Sequence, residues 1–551
     1  MALANEAYEA YKERCMLRRF YFFLLFCIAA TTLSPVRGQA PVVASGAEAR
    51  TTRVFNAAKS SPVALHAFLE RMPKGADLHM HLSGAIYAET FLRDARADQL
   101  CVDPSALAFV RNASANPACP AGDVPVANAF IGNESAQKLY DALVDSFSMR
   151  SFVPSAGVSG HDQFFATFGR FGGMKDHAGE WLDEVATRAA AQNEQYLEVM
   201  QTPSFSHARE AGDRFGWPSS ASGILPEDDV AGTTPAELSR LRDQLLAGGL
   251  REDIAIDRRE FSDALAERRR IERCGEPRAA LACAVGIRFI YQVLRQNSPQ
   301  QVFAQTLLGF EVASVDPSVV GINFVQPEDA FLSMSEYRRQ MRMLDYLHSL
   351  YPKVHLSLHA GELAPGMVPP EGLRFHIREA VDLGHAERIG HGADVLYEDD
   401  ANALLRELAD RHVMVEINLT SNDVILGVKA PFHPLPNYRA AHVPVALSTD
   451  DEGVSRIDLT HEYVRAALEF HLSYLDLKEM ARTGIEHGFL PGESLWRKPD
   501  QHTAVVAACA GQSVGGEKPG AACANFLKSS EKAMQEWELE HRFMMFEATQ
   551  H

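Results

Sequence analysis

Histidine and aspartate side chains occur in this sequence at spacings that can bind a metal ion. His79 and His81 are two residues apart. On a β-strand such residues point to the same face, so both imidazoles can reach one ion. His359 supplies a third imidazole and Asp450 a carboxylate. This ligand set suits a borderline ion such as Zn²⁺, with one position left for water.

Eight short apolar segments alternate with helical patterns, and this alternation predicts parallel βαβ units closed into a (β/α)₈ TIM barrel. In that fold the chemistry lies at the C-terminal ends of the strands. His79 and His81 end the first predicted strand. His359 ends the fifth strand, His391 ends the sixth, and Asp450 follows the eighth. Four strands therefore deliver histidine or aspartate to one rim. The predicted strands are 76–82, 195–201, 286–293, 319–325, 354–359, 388–391, 413–418 and 443–449.

The remaining sequence predicts extensions and insertions around this barrel, which we assign to residues 61–495. Residues 39–60 contain many small and polar residues, and we interpret them as a linker. Residues 99–135 are rich in Ala, Pro, Asn and Gly, and they predict a loop-like insertion after the first strand. Residues 205–235 predict a second insertion, after the second strand. A helical C-terminal extension is expected over 496–551.

The N-terminus is typical of a secretory signal peptide, which we place at residues 1–38. Two arginines precede a short apolar run over 20–30, and cleavage is expected after Gly38. A membrane anchor is the alternative, but a bilayer span takes about 20 apolar residues. Met16 is an alternative start. We therefore expect a secreted or periplasmic protein with no membrane contact after signal removal.

Composition and charge restrict the classes of partner. Hydrophobic residues make up 46% of the chain and charged residues 23%, the balance of a soluble protein with a sizeable core. The formal net charge is −19. Such a surface repels phosphate backbones and anionic lipid, so nucleic acid and membrane surfaces are poor candidates.

Six of the eight cysteines lie beyond the predicted signal, in three locally close pairs. In an oxidising compartment such pairs usually form disulfides. Pairing of neighbours is the simplest connectivity, although the sequence alone does not fix it. A thiolate metal site is the alternative, and the lack of a C-x-x-C motif argues against it. The pairs are Cys101 and Cys119, Cys274 and Cys283, and Cys509 and Cys523.

Four sequence blocks contain the candidate site residues: MPKGADLHMHLSGA (72–85), HAGE (359–362), RIGHG (388–392) and STDDEGV (448–454), with TSN (420–422) and His433-Pro434 in support. Together they resemble the adenosine deaminase family of metal-dependent amidohydrolases. Within that family they are most similar to the secreted, growth-factor-related branch and its bacterial exported relatives. The resemblance covers roughly residues 60–490.

The resemblance implies a reaction and a role for each matched position. The reaction is hydrolytic deamination of adenosine or 2′-deoxyadenosine to inosine or its deoxy form and ammonia. Glu362 would donate a proton to N1 of the purine, and His391 would accept or steer the proton of the attacking water. One Zn²⁺ per chain would be bound by His79, His81, His359 and Asp450. The substrate contacts implied are His81, Ser83, Gln326 and Asp451, the last at purine N7.

Two positions depart from the family pattern and leave the natural nucleoside open. Ser83 stands where members commonly have an acid that holds the ribose 5′-hydroxyl. Gln326 stands where they have a glycine whose backbone contacts purine N3. A modified adenosine, a 2′-deoxy form or another aminopurine is therefore also compatible with the sequence.

Two further functions compete with adenosine deamination. An amidohydrolase with the same metal site could act on another aminopurine or on a non-purine amide or ester. A growth-factor-like binding protein belongs to a different class, and residues 99–135 are a candidate for its binding insertion or for a homodimer contact. Phe164, Phe165 and Phe168 have near-helical spacing, which favours a core position, with a pocket wall as the alternative.

Overall fold

The strands of this computed structural model account for the rim predicted above. The structure describes residues 46–110, 119–174, 177–218 and 230–550, so the predicted signal peptide lies outside the described residues. The strands are β1 (Gly75–His81), β2 (Cys101–Asp103), β3 (Ala108–Val110), β4 (Val124–Pro125), β5 (Glu194–Gln201), β6 (Gly286–Leu294), β7 (Val319–Val325), β8 (His355–Ala360), β9 (Arg388–His391), β10 (Met414–Ile417) and β11 (Val445–Leu447).

A parallel eight-stranded sheet of β1 and β5–β11, paired in chain order, forms the centre of the fold. The sheet closes where the backbone N–H of Asp450 donates to the carbonyl of His79 (2.8 Å) and that of His81 donates to the carbonyl of Asp450 (3.2 Å). Every residue of β1 is buried, as expected for a parallel strand covered on both faces. The predicted (β/α)₈ barrel is confirmed. Its closure also places three of the proposed ligands, His79, His81 and Asp450, on two segments that are directly hydrogen-bonded to each other.

Helices surround the barrel. They are α1 (Gly46–Ala58), α2 (Pro62–Arg71), α3 (Ala88–Ala97), α4 (Glu134–Ser146), α5 (Gly160–Arg170), α6 (Ala178–Ala191), α7 (Ala208–Phe215), α8 (Pro235–Leu245), α9 (Arg251–Ile271), α10 (Pro299–Val315), α11 (Phe331–Ser335), α12 (Tyr337–Leu350), α13 (His376–Asp382), α14 (Ala401–Asp410), α15 (Leu419–Leu426), α16 (Leu435–Ala440), α17 (Glu452–Ser455), α18 (Leu459–Glu469), α19 (Tyr474–His487), α20 (Ala521–Ser529) and α21 (Glu531–Ala548). None of these described helices combines the length and apolar character needed to cross a membrane.

The linker predicted over residues 39–60 is wrong where the structure describes it, because α1 is a helix. Thr51 and Phe55, four residues apart on its inner face, are buried. The ring of Phe55 lies 5.5 Å from that of Phe68 and 6.4 Å from that of Tyr474. These two buried positions therefore anchor the helix on the core. Its other residues have the small, polar composition of a linker.

The insertion predicted over residues 99–135 is more ordered than its composition indicated. Its described part contains an antiparallel sheet in the order β3-β2-β4 and a 3₁₀ helix, Val126–Phe130. A disulfide joins Cys101 to Cys119, which ties this sheet to the following segment. The other two neighbouring pairs are also joined, so the simplest pairing is confirmed. In the second predicted insertion the described residues include α7.

The C-terminal extension packs onto the barrel through α21. Phe546 contacts Phe68 edge to face at 5.2 Å and lies 6.4 Å from the ring of Tyr474. Beside this aromatic contact, Lys478 Nζ donates to Glu547 at 2.6 Å. The helical extension expected in this region contains two helices, α20 and α21. The extension is therefore part of the folded unit.

Replacing Phe546 by alanine should lower the free energy of unfolding by about 3 kcal/mol, because a buried phenyl ring leaves a cavity. The measurement is a denaturant or thermal unfolding curve. Met545→Ala is the matched control, since Met545 is 51% exposed on the same helix and should change stability by less than about 0.5 kcal/mol. Equal effects of the two variants would show that α21 does not stabilise the barrel through this contact.

Candidate active site

Three imidazoles and one carboxylate converge at the C-terminal rim of the barrel. Nε2 of His79 lies 3.1 Å from Nε2 of His359 and 3.3 Å from Oδ1 of Asp450. Nε2 of His81 lies 3.3 Å from the same nitrogen of His359 and 3.1 Å from the same oxygen of Asp450. All four residues are at most 6% exposed. The structure therefore brings together the four residues that the sequence predicted as metal ligands.

These spacings fit a bound metal ion. A metal–ligand bond of about 2.0–2.1 Å separates ligand atoms by roughly 2.8–3.4 Å at right-angled to tetrahedral geometry. The four distances of 3.1–3.3 Å lie in that interval. Neutral imidazoles and one carboxylate form the donor set expected for Zn²⁺. His391 lies beside this set, since its ring nitrogen is within 4.8 Å of ligand atoms of His79, His359 and Asp450.

A second layer of hydrogen bonds orients these side chains. Nδ1 of His79 lies 2.6 Å from Oε2 of Glu416. Nδ1 of His359 lies 2.7 Å from Oδ1 of Asn323, and Ser421 donates to Oδ2 of Asp450 at 2.6 Å. The Gln292 amide lies 2.9 Å from Nδ1 of His81. Such partners fix the ring orientation, so that each Nε2 faces the common centre.

Electrostatics make this cluster receptive to a cation. Burial opposes protonation of His79, but contacts with Asp450 and Glu416 outweigh it and raise the pKa of His79 to about 10. Burial and the neighbouring imidazoles lower the pKa of His359 well below its usual value. A metal ion that binds here must therefore displace the His79 proton, which couples metal affinity to pH.

Backbone geometry at the strand ends brings the ligands this close. Asp450 and His391 have φ values of +61° and +72°, an uncommon conformation for residues other than glycine and one that is found at functional sites. A Cβ at Gly390 would lie 2.6 Å from the ring of His79, so only glycine lets β9 approach β1. The RIGHG segment therefore serves packing as well as presenting His391.

Glu362 and His391 face each other beside the cluster. Oε1 of Glu362 lies 3.7 Å from Nε2 of His391, and Nδ1 of His391 is held by Oδ1 of Asn422 at 2.9 Å. Nε2 of His391 is buried without a hydrogen-bond partner among the described residues. Burial raises the pKa of Glu362, and the neighbouring His391 partly offsets this effect. The pair can hold a proton at the edge of the cavity.

Asp451 is a second buried acid in the cavity. Burial, with Asp450 beside it, raises the pKa of Asp451 well above its usual value. Its Oδ1 has no hydrogen-bond partner among the described residues. A protonated carboxyl here can donate to an acceptor nitrogen of a ligand, a capacity that an ionised one lacks.

A cavity of about 380 Å³ opens onto these groups. Three phenylalanines of α5 form one wall; Phe164 is also buried in the core, while Phe165 and Phe168 are half-buried. His79 and His391 lie behind the lining. The lining residues are His81, Ser83, Phe164, Phe165, Phe168, Thr202, Gln292, Leu294, Val325, Gln326, Pro327, His359, Glu362, Asp450 and Asp451.

The departure at Gln326 has a structural explanation. Its φ is +92°, a conformation that glycine adopts easily and glutamine rarely does. Arg295 Nε donates to its carbonyl at 2.8 Å, and its own Oε1 accepts from the backbone N–H of Gln296 at 2.9 Å. These bonds hold the strained backbone and draw the end of the side chain toward Gln296. The cavity therefore keeps a glycine-like backbone at this position.

Sequence reasoning missed several residues of the site. Thr202 directly follows β5 and Leu294 ends β6, so the strand-end rule that found the histidines would also have found them. Glu416, Gln292 and Asn323 lie inside apolar strands. A polar residue in an otherwise apolar buried strand was the available signal for all three.

Glu416→Gln should weaken metal binding about 10- to 100-fold, because the His79 ring loses its charged partner. The measurement is competition with a chromophoric chelator. Glu198→Gln is the matched control: Arg388 binds Glu198 at 2.6 Å and Glu416 at 2.7 Å, but among described contacts only Glu416 touches a proposed ligand. Equal weakening of metal binding in both variants, or in neither, would show that Glu416 does not support metal binding through His79.

Comparison with known proteins supports the family resemblance. Residues 271–497 match the family model described as Adenosine deaminase. That segment contains His359, Glu362, His391 and Asp450. The adenosine deaminase of Escherichia coli (strain K12) is 38% identical over 140 residues, which are 25% of this chain and 39% of that protein. The chain thus matches well under half the length of the curated relatives.

The similarity to solved structures extends over a larger share of the chain. The complex of Arabidopsis ADAL with GMP has 20% identity and a TM-score of 0.47, covering 77% of this chain and 94% of that one. The adenine deaminase from Arthrobacter aurescens has 17% identity and a TM-score of 0.42, covering 76% and 94%. By its matched segment and its 38% identity over 140 residues, the chain is similar to the adenosine deaminase family.

Proposed function

We propose that this protein is a zinc-dependent hydrolase that deaminates adenosine or 2′-deoxyadenosine, releasing ammonia and the inosine nucleoside. The observation that carries the proposal is the placement of Glu362 and Asp451, two buried acids with raised pKa values, at the cavity beside the His/Asp cluster. The match of residues 271–497 to the Adenosine deaminase family model supports a deaminase.

Each residue of the site has a chemical task in this reaction. When bound, zinc lowers the pKa of a water ligand to about 7 and so makes a nucleophile available at neutral pH. His391 Nε2, which has no partner among the described residues, can take up or steer the proton of that water. Glu362 donates a proton to ring N1, which makes C6 more electrophilic. Asp451 donates to N7 and holds the base in register.

The charge of the cavity favours a nucleoside over a nucleotide. Its lining includes three acids, Glu362, Asp450 and Asp451, and no lysine or arginine among the residues that the structure describes. A 5′-phosphate placed there would lose its hydration without gaining a lysine or arginine partner. The aromatic wall of α5 offers uncharged surface to the part of the ligand that lies away from the metal ligands.

Export is the localisation we propose. The three disulfides among the described residues suit an oxidising compartment, as the predicted signal peptide does.

The purified protein should convert adenosine or 2′-deoxyadenosine to the inosine nucleoside at least 100-fold faster, in kcat/KM, than it converts AMP. The measurement is the ultraviolet absorbance change on deamination, with adenine as a fourth substrate. Turnover of none of the four would contradict the deaminase proposal. A preference for AMP or adenine would contradict the nucleoside assignment alone.

His359→Ala should lower kcat by at least 1,000-fold and leave less than one-tenth of the bound metal, because a ligand and its charge balance are lost. His355→Ala is the matched control on the same strand. It lies at the opposite end of β8, with its imidazole bonded to Glu387 at 2.8 Å, and should retain activity and metal. Activity and metal are read on the same samples by absorbance and mass spectrometry. Unchanged turnover in His359→Ala would exclude the metal site as drawn.

A further inference from the structure

A buried glutamate outside the cavity grips the backbone of the segment that carries Glu362. Glu328 lies three residues beyond the end of β7 and is 1% exposed. Its Oε1 accepts from the backbone N–H of Gly361 at 3.1 Å, and its Oε2 accepts from the backbone N–H of Glu362 at 2.8 Å. One carboxylate thus binds two consecutive peptide groups of the turn after β8.

This carboxylate is itself fixed. Nδ1 of His376, on α13, lies 2.5 Å from Oε1 of Glu328, and the His376 ring stacks on Tyr337 with centroids 3.9 Å apart. Burial alone would favour the neutral acid. His376, Arg295 and the backbone of Glu362 outweigh burial and lower the pKa of Glu328 to about 2. Glu328 is therefore an ionised acceptor for all three donors.

The turn it binds is crowded on its other side as well. Gly361 has a φ of +73°, and a Cβ there would lie 2.4 Å from a carboxylate oxygen of Asp394. Only glycine therefore fits between the two acids. With its backbone held in this way, Glu362 presents its side chain to the cavity and to His391.

We infer that Glu328 is a positioning residue for proton transfer, because its two backbone hydrogen bonds set where the Glu362 carboxyl meets N1 of the substrate. The inference rests on the proposed function, in which Glu362 is the proton donor. Proton transfer needs the two heavy atoms within about 2.6–3.2 Å, and an error of about 1 Å costs on the order of 100-fold in rate. Glu328 touches neither the substrate cavity nor the metal ligands in the described contacts.

The test is Glu328→Gln. A glutamine keeps the shape, but its NH₂ group faces a backbone N–H and cannot accept from it. We expect kcat for adenosine to fall 10- to 100-fold, KM to change less than threefold, and metal content to stay at one per chain. Glu328→Asp keeps both acceptor oxygens but withdraws them by one methylene, so its kcat should fall between those of Glu328→Gln and the unchanged protein.

Glu398→Gln separates positioning from the general effect of replacing a buried acid by its amide. Glu398 is also buried, at 4% exposure, and its Oε1 accepts from the backbone N–H of Ile377 at 2.6 Å, next to His376. Its Oε2 has no hydrogen-bond partner among the described residues, so the amide group of glutamine can take that place without touching residues 361–362. We expect a kcat within twofold of the unchanged protein.

An inhibitor that cannot use Glu362 completes the test. In 1-deazaadenosine a C–H group replaces N1, so its binding reports on the cavity and not on the proton donor. Its inhibition constant should change less than twofold in Glu328→Gln. The inference is overturned if kcat stays within twofold, if the inhibition constant rises in parallel with the loss of kcat, or if Glu398→Gln lowers kcat equally. If the unchanged protein deaminates no aminopurine, the proposed function itself fails.

Discussion

Packing three imidazoles and a carboxylate so that each has ligand atoms within 3.3 Å of two others, almost out of reach of water, costs free energy unless a cation joins them. The barrel closure, the glycine in β9 and the left-handed residues at the strand ends all serve that convergence. A bound metal ion would make the same arrangement favourable, because its positive charge attracts the imidazole nitrogens and the carboxylate. Without a bound cation, this arrangement therefore lowers the stability of the fold.

Charged side chains behind the cluster offset part of this free-energy cost. Arg388 is fully buried between Glu198 and Glu416. The other carboxylate oxygen of Glu416 contacts His79. Arg388 and His79 together overcome the effect of burial and lower the pKa of Glu416 to about 2, so this carboxylate stays ionised in the core. Negative and positive side chains thus alternate from the base of the barrel to its rim, and each is paired with a neighbour of opposite charge. Glu328 follows the same principle on the side of the proton donor.

Features that repeat along the sequence, such as the eight strands, could be predicted from it. Features that depend on a few long-range contacts could not. The eight strands repeat one pattern, and the strand-end rule then selects His81, His359 and Asp450, so both fold and ligand set were predicted. The helix α1 was missed because only Thr51 and Phe55 of its residues are buried. Glu416 and Glu328 act through partners far apart in the chain, so local spacing does not identify those partners. The glycine-like backbone of Gln326 depends on Arg295 and Gln296, which only the folded arrangement brings near.

X-ray absorption at the zinc edge of the loaded protein tests the central claim most directly, because it reports the atoms around the ion without relying on turnover. Three imidazole nitrogens and one or two oxygens at about 2.0–2.2 Å are the result expected from His79, His81, His359 and Asp450. The imidazole scattering should drop by one ring in His81→Ala. A sulfur scatterer at about 2.3 Å, or a shell of oxygens without imidazole, would contradict the account.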